Sequence, residues 1–329
     1  MLFMALTALK NAGSWDFLGA MFAQTGSTFS IRVIDFLEML RPCLLAKYVV
    51  ATAERWSMLK LSTTGNQFHN FPEARYAVDV TFQQTETPGG NFGEKKKFFS
   101  KKHGLYGVKV EVSVVPTGFA IGMTKHVGGR VTDKTIFDNN IDFHMSQLVK
   151  QGDEHNVRDR GPLAEEYPQQ WAVLGDKGYQ GFAEQVRGIS PHKRPPGGIL
   201  SMEQQQFNDE VSHDRVVVEN YFGRLKTLWN VIGSCWKWDR SNYDLFFECC
   251  VALTNVHVRF NPLRDTDGKD YRRYLRRLQM ISASIKAKKA EKQADYRANR
   301  KRKISQVFGL HDDEVEYGGS DADAQNLMD

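Results

Sequence analysis

Three acidic residues stand where packing alone would not put them. Asp79 lies in the middle of an otherwise apolar strand pattern, Asp176 ends a short apolar run just before Gly178 and Gly181, and Glu219 borders the apolar stripe of a long helix, one position past Val218. Asp and Glu are depleted from strands and are rarely buried unless paired or bound to metal. Three carboxylates with no Cys or His at zinc-type spacing match oxygen-only coordination of a hard cation such as Mg²⁺. Two such ions about 3.5–4 Å apart activate a nucleophile and stabilise the leaving oxygen in phosphodiester cleavage. Taken singly, each acid also reads as an ordinary residue: an exposed strand position, a turn former, a solvated helix position.

The elements that must carry these acids follow from hydrophobic period. Tyr76, Val78, Val80 and Phe82 alternate with Ala77, Asp79 and Thr81, the pattern of a half-buried strand. Val108, Val110, Val112 and Val114 repeat the alternation, and the turn Val115-Pro116-Thr117-Gly118 leads back through Phe119–Val127 as a β-hairpin. Trp171–Leu174 reads as a buried strand delivering Asp176. Ser212 is placed to cap the helix whose stripe is Val218, Tyr221, Leu225, Leu228 and Ile232. Thr132 caps a helix running through Ile136, Phe137, Ile141, Met145 and Leu148, with Asp133 in its first turn. The basic run Lys95–Lys102 reads as a loop or edge strand, residues 151–170 as a polar loop, and Tyr243–Val258 as a further helix. Residues 1–65 read as helical, and a break at Gln24–Ser27 gives the outline of a helix-turn-helix or simply of two packed helices.

The surroundings of the acids carry a resemblance. Ser190-Pro191-His192-Lys193, Phe207-Asn208 and the stretch Arg215–Lys226 resemble the DDE nuclease domain of PIF/Harbinger-type transposases. Leu174–Tyr179 resembles that family's second-Asp motif and Val78–Phe82 its first, with the acids 97 and 43 positions apart in the family's order. The resemblance covers roughly residues 70 to 258. It implies an α/β fold, an RNase H-like mixed β-sheet flanked by helices that brings Asp79, Asp176 and Glu219 together as catalytic and metal-binding residues. It implies Mg²⁺- or Mn²⁺-dependent cutting and joining of transposon-end DNA, a nuclear location, and work beside a Myb-like DNA-binding partner protein. Gly128–Asp133 corresponds to a further family motif, which makes Asp133 an auxiliary candidate, although a helix first turn explains it equally well. The domains expected are a helical region over 1–68, the nuclease domain over 69–260, and a basic helix or arm with an acidic tail over 261–329. The N-terminal region is short for the family.

Composition agrees with a nucleic-acid partner. The chain has 329 residues, 41% of them hydrophobic and 25% charged, and its net charge of +5 conceals a basic block between Arg259 and Lys303 followed by an acidic end after His311. Such a block suits a polyanion. Candidate DNA contacts are Lys96, Lys97, Lys101 and Lys102 around Phe98 and Phe99, Arg215 and Lys226 on the side of the helix that carries Glu219, and Arg300, Lys301, Arg302 and Lys303, which also suit nuclear import. Solvated cations are the plainer reading of each. Four cysteines without a C-x-x-C pair argue against zinc, and no apolar stretch is long enough to span a membrane. Oligomeric state is left open. The competing functional class is a domesticated, non-catalytic DNA- or chromatin-binding protein that keeps the fold.

Overall fold

The computed structural model describes residues 1–308, with side chains through residue 306. The acidic end expected after His311 lies outside the described residues. The chain forms two compact units, 1–278 and 279 onward.

The first unit begins with helices α1 (Leu2–Asn11), α2 (Trp15–Ala20), α3 (Gly26–Leu45), α4 (Ala51–Arg55) and α5 (Met58–Thr63). The break between α2 and α3 is where Thr25 caps α3 by accepting from the Thr28 amide. Strand β1 (Ala74–Gln84) follows, then α6 (Phe92–Phe98), β2 (Phe99–Ser100), β3 (Leu105–Val114), β4 (Ala120–Met123) and β5 (Val127–Gly128). Next come α7 (Asp133–Asn139), α8 (Ile141–Leu148), β6 (Ala172–Leu174), β7 (Gly188–Ile189), α9 (Met202–Leu228), α10 (Asn230–Gly233), α11 (Tyr243–Phe260) and α12 (Asp265–Phe308).

The strands form one mixed sheet in the order β2-β3-β1-β6-β7, with β4 and β5 also pairing β3. β1 is antiparallel to β3 and parallel to β6, which is parallel to β7. An antiparallel set continued by a parallel pair, with helices on both faces, is the RNase H-like arrangement.

β1 is covered on both sides rather than half-buried. Tyr76, Val78 and Phe82 are buried on one face, and Ala77, Thr81 and Gln83 on the other. The first face joins a core with Phe137, Leu148, Val173, Tyr179 and Phe182. On the second, α9 and α11 close over the sheet, and the Gln83 amide is spent within it, donating to the Ser234 carbonyl (2.9 Å) and accepting from the Tyr243 hydroxyl (2.9 Å). A strand with helices on both faces has no solvent side to make polar.

Three local expectations need correction. The long helix begins at Met202, ten residues before Ser212, because Ser201 and Gln204 form a reciprocal capping box. Its first turns are Gln-rich, good helix-formers without an apolar stripe, so periodicity does not reveal them. The basic run Lys95–Lys97 is helical, capped by Asn91, and only Phe99–Ser100 is strand. The helix from Thr132 is two helices, interrupted where Asn140 departs from helical geometry (φ −108°, ψ 15°).

Candidate active site

Strand register puts two of the acids side by side. Ala77 of β1 pairs with Leu174 of β6 in parallel. Asp79 and Asp176 each follow two residues later, so the period of two sends both to one side, Asp79 from the middle of β1 and Asp176 from just past the end of β6. Asp176 then leaves the strand and caps a single turn, its Oδ1 accepting from the Gly178 amide at 2.6 Å. The Asp79 carboxyl is pushed up to about 7: burial raises it most, the Arg215 guanidinium opposes, and the neighbouring Asp176 carboxylate adds to the rise.

Asp133 belongs to the same acidic centre. It sits in the first turn of α7 and is paired with the buried ammonium of Lys109 at 2.9 Å. Gly178 lies between the two carboxylates: a methyl built there would stand 2.8 Å from Asp176 Oδ1 and 3.1 Å from Asp133 Oδ2. The hydroxyl of Tyr179, fully buried and without a hydrogen-bond partner, is held well above its usual pKa, first by burial and then by Glu111, Asp79, Asp133 and Asp176. Four carboxylates thus act on one buried phenol. The sequence reading gave Asp133 only an auxiliary part, since a first-turn acid is commonplace; the signal it lacked is the glycine that lets Asp176 approach.

Glu219 arrives on α9, one turn beyond Arg215. Arg215 is buried and its Nη2 donates to Asp79 Oδ2 at 3.1 Å, which ties α9 to β1. The Glu219 carboxylate is instead paired with Arg272 of α12 at 3.8 Å. Tyr271, next along α12, is buried against Phe222 and feels both Asp79 and Glu219, which with burial hold its hydroxyl well above its usual pKa.

The opening of α12 is fastened along α9. The Arg224 guanidinium grips Asp267 with two hydrogen bonds (2.9 and 2.7 Å) and also donates to the carbonyls of Asn261 and Pro262. Gly223 lies directly under the Asp267 carbonyl, where any side chain would collide. Further on, Tyr274 donates to the Phe82 carbonyl at 2.9 Å and Arg277 to the Gly233 carbonyl at 2.8 Å. The sequence reading of this segment as a basic helix or arm did not see that contribution. The available signal was the spacing of Tyr271, Tyr274 and Leu278, all buried.

Of the cations expected at a DNA surface, Lys226 is elsewhere. It is buried, with its ammonium 4.1 Å from the Tyr274 ring and directed at the carbonyls of Phe82 and Ile232. The i+7 spacing from Glu219 was right for a shared helix side, but α12 covers that side. Arg215 is committed to Asp79. Lys97 is exposed and paired with Glu94, Lys96 is half-buried, and Lys101 and Lys102 are exposed on the turn after β2. In the second unit the helix from residue 279 presents Arg300, Lys301, Arg302 and Lys303 to solvent.

The donor set suits a hard divalent cation in chemistry. Its acids are carboxylates, and Asp79 is raised chiefly by burial and further by the neighbouring Asp176 carboxylate, with the Arg215 guanidinium opposing. Among the described residues, however, no three His, Cys, Asp or Glu side chains gather closely enough to hold an ion. Asp79 and Glu219 are each turned to an arginine instead.

Comparison with known proteins bears on this geometry. The family model described as DDE superfamily endonuclease matches residues 78–255, a span containing Asp79, Asp133, Asp176 and Glu219. The probable transposase for insertion sequence element IS702 of Microchaete diplosiphon is 29% identical over 183 residues, 55% of this chain and 56% of that protein. The chain therefore spans little more than half the length of that relative. No solved structure matches it. An RNase H-like sheet that brings together an acid from the middle of one strand and an acid from the end of its parallel neighbour, with a third on the covering helix, within a match over more than half the chain, has one family reading: the chain belongs to the DDE superfamily endonucleases.

Proposed function

We propose that this protein is a divalent-metal-dependent endonuclease that cuts and joins DNA phosphodiesters at transposon ends. The observation that carries the reading is the parallel register of Ala77 with Leu174, which sets Asp79 beside Asp176 at one point of the sheet. Asp79, Asp176 and Glu219 would hold Mg²⁺ or Mn²⁺, which supplies activation of the attacking oxygen and charge stabilisation at the leaving one. The protein's own residues hold that constellation. Lys109 fixes Asp133, the Gly178 amide fixes Asp176, and Arg215 offsets the charge of Asp79. DNA is the partner; a Myb-like DNA-binding protein, assembly into an oligomer and a nuclear location belong to the same proposal, by resemblance to PIF/Harbinger-type elements.

A second reading has an observation of its own. With Glu219 held by Arg272 and no three-acid cluster among the described residues, the fold also suits a DNA- or chromatin-binding protein that no longer cuts. Nicking of a transposon-end duplex in Mg²⁺ or Mn²⁺, beside a thermal shift on adding metal, separates the two. Nicking that vanishes in Asp79→Asn, Asp176→Asn and Glu219→Gln supports the endonuclease. A wild-type protein that neither nicks nor is stabilised by metal, with the partner supplied, supports the binder.

A further inference from the structure

An acidic centre repels the backbone it must approach, so the cations beside it decide whether a phosphate can settle there. Most of the cations touching these acids are unavailable. Lys109 and Arg215 have side chains only 9% exposed and are committed to Asp133 and Asp79. Lys226 is buried and turned inward. Arg272 differs. Its side chain is 49% exposed, its hold on Glu219 is a long 3.8 Å contact, and Glu219 is itself 34% exposed. Exposed pairs of this kind are weak, so the guanidinium is readily drawn to a better anion. Its backbone, by contrast, is fixed, because α12 is clamped to α9 at Asp267 on one side and to β1 through Tyr274 on the other.

We propose that Arg272 is a phosphate clamp beside the acidic centre, positioning a backbone phosphate of the DNA flanking the cleaved bond. Arg272 comes from α12, outside the 78–255 span that matches the family, so the clamp is supplied by a part of the chain that the family match does not cover. Arginine suits the task because its planar fork can grip a phosphate with two parallel hydrogen bonds. The clamp rests on the endonuclease reading for its substrate, but its binding function can be measured without cleavage.

The test uses the full chain and a fluorescein-labelled duplex of mixed sequence in EDTA, with anisotropy followed across a salt series. Each phosphate contact contributes roughly 0.9 to the slope of log K against log salt. Arg272→Gln should flatten the slope by about one contact and weaken binding several-fold, and Arg272→Lys should restore the slope. Melting temperatures within about 2 °C of wild type show that the variants are folded. With Mn²⁺ present, Arg272→Gln should raise KM for nicking and move kcat much less, the signature of lost ground-state positioning. An unchanged slope in folded Arg272→Gln overturns the clamp, whether or not the protein nicks. A flattened slope in a wild-type background that never nicks sustains the clamp and sinks the endonuclease reading instead.

Discussion

Replacing Asp267 with Ala should cost this protein more stability than replacing any exposed acid. Asp267 and Arg224 have side chains only 9% and 5% exposed, and the guanidinium spans Asp267, His257, Asn261 and Pro262, so one residue ties α9, α11 and the first turn of α12 together. Removing the carboxylate leaves a buried guanidinium with carbonyl and imidazole partners but no counter-charge. Breaking one partner of such a pair costs about 3–5 kcal/mol. In a unit of this size each kcal/mol lowers the melting temperature by about 2–4 °C, so Asp267→Ala should melt roughly 10 °C below wild type. Arg224→Met should fall by a similar amount. The double variant Arg224→Met/Asp267→Leu should recover much of the loss, because exchanging a whole buried pair for apolar groups is often neutral. Calorimetry on wild type and the three variants measures these differences directly. If both single variants melt within about 2 °C of wild type, α12 is not fastened as described, and the placement of Tyr271 and Arg272 over the acids loses its basis.

Four further outcomes follow from the geometry. Gly178→Ala should leave the melting temperature nearly unchanged while cutting DNA nicking at least about tenfold, because its methyl would separate Asp176 from Asp133; equal nicking would show that their approach is irrelevant. Asp79→Asn should abolish nicking and leave the salt-dependent binding of duplex DNA intact, whereas a parallel loss of binding would mean that Asp79 serves structure. Burial lowers the Lys226 ammonium to about 7, so between that pH and its unfolded value near 10.5 the folded state carries fewer protons than the unfolded one. Stability should therefore rise with pH across this window by up to about 1.4 kcal/mol per unit, a slope that Lys226→Met removes in urea titrations at several pH values. Deleting residues 279–329 should flatten the salt dependence of DNA binding and spare the fold, while a deletion from residue 264 should also destabilise the first unit by stripping Tyr271, Tyr274 and Leu278 from its core.

Asp79 was legible because an acid inside an apolar alternation is a local contradiction, visible in a window of seven residues. Asp176 was legible for the same reason, at the end of Trp171–Leu174. Their adjacency was not readable from period alone, since it depends on pairing between strands nearly a hundred positions apart, and only the family motifs suggested it. The inward turn of Lys226 was hidden because its i+7 spacing says which side of α9 it shares with Glu219, not that α12 lies over that side. The helix over Met202–Val211 was invisible to a hydrophobic stripe because capping, not burial, starts it. Arg272 was lost among many cations whose net charge dominated the reading of the whole segment. Charge density describes a surface on average; a single buried neighbour such as Tyr271 reveals which turn of it is anchored.

The parallel pairing of β1 with β6 also sets the order in which the molecule can become itself. Asp79 and Asp176 lie 97 positions apart, and Arg272 nearly another hundred beyond Asp176. Contacts of such long separation carry a loop-closure cost that local helices do not, and they form slowly. On the ribosome, at about 5–20 residues per second, Asp79 is made several seconds before the strand that will stand beside it, and the α12 turn follows later still. Through that interval the nascent chain has one acid of the pair and no neighbour for it. A chain stopped before Glu219 consequently lacks part of the acidic set, which is complete only once α9 has been made and has closed over the sheet.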